Sequence, residues 1–272
     1  MKICFSFEDL FPAHGRAGRH IETLVRSFRD RGHQVSIITT QSEDALEEEG
    51  IEALRLREAP GARGQARRDS LITKAIGKFL KEEEVEVLFA EGLTPLSAVA
   101  LKAARKGGVQ AILRVLADAG GIAASFGTDR KLTPSALRKR VGTMLGYADI
   151  AAASSRHCED LVAELYDGPV RVIPKCVDLS VFNADRVDDR DVARLRDDVD
   201  AGEGPILLYA REEMRGETVL AAGELLAALR ERHADARLLV AGRIDDGEAL
   251  EEELEERGLA GFVHLLGSLS QR

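Results

Sequence analysis

Apolar residues in this chain fall into short strand-like runs that alternate with stretches of helical spacing. Ile3–Phe7 reads as a buried strand. Ile21, Leu24, Val25 and Phe28 then recur at i, i+3, i+4 and i+7, the face of a helix that Gly32 stops. Val35–Thr39 and Ala53–Leu56 read as the next strands, and Ile72, Ile76, Phe79 and Leu80 line a second helix. Val85–Phe89, Val109–Val115, Ile150–Ala153 and Val170–Ile173 follow as strands. Helices over Leu96–Ala104, from Pro134 to about Leu145, and from Arg156 separate them. This alternation predicts an α/β fold with a mainly parallel, doubly wound sheet covered on both faces.

A polar segment rich in acids and arginines, Asp185–Asp200, interrupts the pattern and reads as a linker or a short solvated helix. Three more strands follow at Ile206–Tyr209, Arg237–Ala241 and Phe262–Leu265, with helices over Thr218–Glu231 and Glu248–Arg257 between them. The expected organisation is a first Rossmann-like domain over residues 1–182 and a second, incomplete one over 183–272. Half of a doubly wound domain leaves faces and edges uncovered. The expectation is therefore a truncated chain, or one that associates with itself or with a partner subunit.

Composition narrows the classes. Of 272 residues, 44% are hydrophobic and 31% charged, and aromatics make up only 4%, so the core is aliphatic. A formal charge of -9 argues against a chain-wide nucleic-acid surface. No apolar run approaches the ~18 residues of a membrane helix. The amino terminus enters a strand without signal-peptide anatomy, and three widely spaced cysteines (Cys4, Cys158, Cys176) suggest reduced thiols; together these point to a cytoplasmic protein. The six histidines show no ligand spacing, so neither a metal nor a cofactor is expected.

Candidate chemistry lies where strands end. After the first strand, Gly15 and Gly18 let the backbone approach a ligand, Arg19 adds charge, and the following helix offers free N–H groups. The same glycines also serve a plain strand-to-helix turn. Neither a dinucleotide fingerprint nor a P-loop is present. Arg211 and Arg215 follow the first strand of the second domain, where open α/β sheets bind ligands; two surface arginines balancing Glu212, Glu213 and Glu217 are the plainer account. Glu91, at another strand end, suits binding of hydroxyls or a base role, and equally a solvated helix start. Asp118, near paired glycines after the next strand, is the remaining polar candidate.

The segment Val170-Arg-Val-Ile-Pro-Lys-Cys-Val-Asp-Leu-Ser-Val-Phe182 leaves its sheet at Pro174, which has no N–H to give the ladder. It resembles the V-I-P-N-G-V-D-x-x-x-F signature of the family-four retaining glycosyltransferases, with Lys175 at the Asn position and Cys176 at the Gly position. The resemblance implies a GT-B fold of two Rossmann-like domains and transfer of a sugar from a nucleotide-diphosphate donor with retention. It implies that Arg211 and Arg215, matching the family's G-R-x-x-x-x-K-G with a spacing one residue shorter, are the catalytic cations that hold the leaving diphosphate. It also implies that Gly15, Gly18 and Arg19 face the donor and that Glu91 and Asp118 stand where the family often carries histidines. The family's glutamate pair, E-x7-E, falls beyond Arg272. Two rival readings remain: an inactive or partner-dependent binding protein derived from such an enzyme, and a GT-B sugar-nucleotide epimerase. In similar enzymes with lipid-linked acceptors, a basic helix such as Leu137–Leu145 lies on anionic membrane; a solvated face over a core stripe accounts for it as well.

Overall fold

The computed structural model describes residues 1–7, 15–40, 50–56, 66–115, 134–245 and 247–269. They form two units, Met1–Val177 and Asp178–Arg272.

The first unit is a seven-stranded sheet: β1 (Lys2–Ser6), β2 (Gln34–Thr39), β3 (Glu52–Arg55), β4 (Val87–Glu91), β5 (Gln110–Val115), β6 (Ile150–Ala153) and β7 (Val170–Val172). Their order is β3-β2-β1-β4-β5-β6-β7, and every pairing is parallel. The chain winds outward from β1 to β3, then crosses back to β4 and winds the other way. Beyond the carboxyl ends of β1 and β4 the direction reverses, and open α/β sheets bind ligands at that point.

Strand alternation divides the core into two layers. Ile3, Phe5, Ile37 and Phe89 point to one face and pack on Ile21 and Val25 of α1 (Gly15–Asp30). Cys4, Ile38, Leu88 and Ala90 point to the other face. There they meet α2 (Ala66–Glu82), α3 (Pro95–Gly107) and α4 (Pro134–Leu145). Burial of each large apolar side chain here stabilises the fold by about 1.5–3 kcal/mol. Val141, Met144 and Leu145 of α4 are core residues, whereas Arg138 and Lys139 are exposed. The apolar stripe of that helix is thus spent inside the protein.

One boundary departs from the expected pattern. Val85 does not open β4; it closes α2. Glu84 adopts φ 52, Val85 N donates to Leu80 O at 2.9 Å and Glu84 N to Lys81 O at 3.2 Å. This is a Schellman ending with an apolar residue just past the left-handed position. The strand consequently starts two residues later than the apolar run suggests and ends on Glu91. Helix α3 has a well-formed start, with Thr94 accepting from Ser97 N, Pro95 in the first turn, and Gly108 at φ 72 ending it.

The signature segment now has a physical account. Ile173 N makes a last sheet bond to Ala153 O at 2.8 Å before Pro174. Asp178 then nucleates a turn, its Oδ1 accepting from Ser180 N at 2.8 Å and Ser180 Oγ at 2.6 Å.

The second unit holds a three-stranded parallel sheet of β8 (Ile206–Met214), β9 (Arg237–Ile244) and β10 (Val263–Gly267), in the order β10-β9-β8. The segment expected as linker or helix forms a 3-10 turn at Ala184–Arg186 and then α6 (Asp189–Asp198), which follows α5 (Arg156–Ala163) in helix order. Helices α7 (Gly216–Arg230) and α8 (Gly247–Glu256) cover one face, with Val219, Leu226, Leu250 and Leu254 on Leu238, Val240 and Val263. On the other face Val199 and Ala201 pack on Leu239, and Leu208 is left 66% exposed. Buried Arg237 ties the end of α6 to β9, donating to Val199 O and Asp200 Oδ2, each at 3.0 Å.

Candidate functional site

In the first unit the site grows from the last residue of β4. Register places Glu91 directly across from Arg114 on β5, so both side chains leave the same face of the sheet. Both are 1% exposed, and Arg114 Nη1 lies 3.8 Å from Glu91 Oε1, too far for a hydrogen bond. Arg114 Nη2 instead donates to Ile173 O at 3.2 Å. To do so the guanidinium crosses β6, where Ala152 is the residue in register with Arg114. Among the described residues neither carboxylate oxygen of Glu91 has a hydrogen-bond partner. Burial pushes the Glu91 carboxyl up to about 7, against the opposing fields of Arg114 and Lys175.

The backbone holds this residue firmly. Ser97 Oγ donates to Glu91 O at 3.1 Å, and Gly92 N donates to Arg114 O at 2.9 Å. Gly92 takes φ 75, a conformation open to glycine, and turns the chain into the cap of α3.

In the second unit, β8 runs to Met214, five residues past the apolar run that marks it in the sequence. Arg211 therefore lies within the strand and not in a loop after it. The register with β9 shifts between Ala210 and Glu213, so Arg211 sits in a bulge, after which Glu213 and Met214 pair with Arg243 and Ile244. Gly242, at φ 144, makes the bulge possible: a Cβ there would stand 1.7 Å from Arg211 O. Arg215 is the N-cap of α7 and supplies no side-chain cap bond, which leaves first-turn N–H groups of the helix open to an anion. The neighbouring Thr218 and Arg211 lower the hydroxyl pKa of Tyr209, and Thr218 Oγ1 donates to Arg215 O at 2.8 Å. Arg211 and Arg215 are exposed.

The other expected residues are placed as follows. Gly15 and Gly18 are not in a loop: α1 begins at Gly15, and both belong to its first turns. Glycine is tolerated there because the first N–H groups have no intrahelical partner to lose. Arg19 also lies in α1, its side chain outside the described residues, as is Asp118 altogether. Sequence reasoning missed Arg114, Ser97 and Lys175. Arg114 left a signal, because a cation inside the apolar run Ala111-Ile-Leu-Arg-Val115 needs a buried partner.

A hollow of about 440 Å³ lined by Lys2, Arg29, His33, Glu52 and Glu82 opens among the amino ends of β1 and β2. It lies at the edge of the sheet opposite to Glu91, away from the strand ends that bind ligands. Among the described residues no group of side chains is arranged to hold a metal ion, and no helix is long and apolar enough to cross a membrane.

A model of the family described as Glycosyltransferase Family 4 matches residues 17–181. No curated protein matches the chain. A glycosyltransferase from Rickettsia africae superposes with a TM-score of 0.75 at 16% identity, over 99% of this chain and 69% of its own. Anabaena HepE, solved with UDP and glucose, gives 0.66 at 15%, over 100% and 70%. A putative UDP-N-acetylglucosamine 2-epimerase from Listeria monocytogenes gives 0.59 at 16%, over 99% and 69%. At such identities the likeness is one of fold: an α/β chain of GT-B type, with a large parallel sheet and a smaller second one.

Proposed function

The chain belongs to glycosyltransferase family 4, and from that premise we propose that it binds a nucleotide-diphosphate sugar and transfers the sugar to an acceptor with retention of configuration. The second unit takes the donor diphosphate. Arg211 in the bulge of β8, Arg215 at the cap of α7 and the uncapped N–H groups of that helix present positive charge to it. Negative charge develops on the diphosphate as the glycosidic bond breaks, and fixed cations stabilise it without metal assistance. The first unit supplies Glu91 for the acceptor, and Gly15, Gly18 and Arg19 at the head of α1 for the donor.

The observation that carries this reading is the α7 start, a helix amino end capped by an arginine that has no acceptor atom to offer it. The test is calorimetric titration with UDP. Arg211→Ala should weaken binding by roughly 10- to 100-fold, as expected for hydrogen bonds to a charged group. Unchanged affinity would return both arginines to the role of surface cations. Products separate the remaining alternatives: a transferase releases UDP from UDP-sugar when acceptor is added, an epimerase leaves the nucleotide sugar intact but inverted, and a binding module leaves it unaltered. With Val141, Met144 and Leu145 of α4 committed to the core, contact of this helix with a membrane would be electrostatic, through Arg138 and Lys139.

A further inference from the structure

Glu91 is a buried carboxylate with two oxygens that no described residue bonds. Arg237 shows the contrast: its guanidinium, also buried, meets Val199 O and Asp200 at hydrogen-bonding distance. A structural ion pair would be expected to close in the same way, since a buried group left unbonded forfeits its hydration with no return. Arg114 does not close on Glu91; it turns one nitrogen to Ile173 O and remains 3.8 Å away. The backbone of Glu91, not its carboxylate, is meanwhile anchored: Ser97 Oγ donates to Glu91 O, and the following Gly92 N donates to Arg114 O. Its position is the carboxyl end of β4, where the winding of the sheet reverses.

We propose that Glu91 docks a vicinal pair of sugar hydroxyls, whose two O–H groups fill the two carboxylate oxygens. An ionised carboxylate accepts only, and two free oxygens side by side match donors on adjacent ring carbons. A metal ion fits poorly, because a single carboxylate beside Arg114 and Lys175 offers it no net negative charge. Lys175, exposed, opposes the effect of burial on the carboxyl through its charge. It stands where the resembling enzymes carry Asn, so a cation there sets this chain apart. The inference rests on the glycosyltransferase reading for the identity of the polyol. The hydroxyl pair belongs either to the sugar of the donor or to the acceptor.

Among the described residues the charged groups acting on Glu91 are Arg114 from β5 and Lys175 from the segment after β7. Hydroxyl donors favour the ionised form of the carboxyl, so binding should release a proton and tighten as pH rises from 6 to 8.

The test uses the full chain, the wild type beside Glu91→Gln and Glu91→Asp. Probes are methyl β-D-glucopyranoside, methyl β-D-galactopyranoside and methyl α-D-mannopyranoside, followed by NMR titration, with UDP and UDP-glucose followed by calorimetry. At least one glycoside, or the glucose part of UDP-glucose, should bind ~10-fold or more weakly to both variants, while UDP alone binds all three proteins equally. Loss confined to UDP-glucose assigns the hydroxyl pair to the donor; loss confined to a free glycoside assigns it to the acceptor. Wild-type binding should also show a buffer-dependent enthalpy from proton release, a reading that needs no variant to fold. Glycosides and UDP-glucose that bind the variants as they bind the wild type, or binding without proton release, would overturn the proposal. Failure of UDP itself to bind would instead remove the donor-site reading.

Discussion

Glu91→Gln should stabilise the first unit more and more as pH rises, and the size of the effect follows from the site. The carboxyl is buried at the carboxyl end of the central strand β4, and its pKa is raised from the ordinary 4.5 to about 7. Between those values the folded protein keeps a proton that the unfolded chain gives up. Stability from this group is therefore fully present below pH 4.5 and lost as pH rises through 7. At ~1.36 kcal/mol per pH unit, the wild type should lose about 3 kcal/mol relative to Glu91→Gln across that interval. Gln cannot ionise, and its altered contact with Arg114 adds only an offset that does not vary with pH. The measurement is urea denaturation of both proteins at several pH values from 4.5 to 8, with circular dichroism and tyrosine emission resolving the two units. Tyr147 and Tyr166 report the first unit and Tyr209 the second. A difference between the proteins that stays flat within ~0.5 kcal/mol, or one that favours the wild type at high pH, would show that the carboxyl is solvated or fully paired, and the argument would fail.

Three other outcomes are expected. Gly242→Ala should destabilise the second unit by ~2 kcal/mol or more, because it combines a positive φ with a clash on Arg211 O; denaturation of the second unit measures it. A chromogenic disulfide reagent should titrate Cys176 at once and leave Cys4 and Cys158 until denaturant is added, since Cys176 is exposed and burial pushes the Cys4 thiol up to about 12. Immediate reaction of all three would contradict the packing described. Among the described residues β8 pairs on one side only, so the chain should self-associate through that edge; light scattering that finds a monomer at high protein concentration would refute this.

The order and type of the elements were legible because each is a local pattern. Period-2 and period-3.6 repeats of apolar residues, with Gly32, Gly108 and Pro134 as punctuation, suffice to write the alternation of strands and helices. Local chemistry also marked Pro174 as the end of β7, since a missing N–H acts at its own position. Ends failed where an apolar residue served something other than its strand. Val85 looks like the first residue of β4 but is spent on the ending of α2. Similarly β8 reads as ending at Tyr209, and its continuation to Met214 depends on a bulge that only its partner strand permits.

The candidate site divides in the same way. Glu91, Arg211 and Arg215 stand out in the sequence because each lies at or just past a strand end, a rule that needs no coordinates. That Glu91 faces Arg114, that Arg114 reaches over Ala152 to Ile173 O, and that Lys175 acts on the same carboxylate join residues far apart in the chain. Strand order and register set those meetings, and a shift of one residue in either strand would turn the two side chains to opposite faces. The chain sequence alone determined which strands and helices form and which charges stand at their ends. The tertiary fold decided which of those charges meet, and how far each is desolvated, because burial and separation depend on neighbours that lie distant in the sequence.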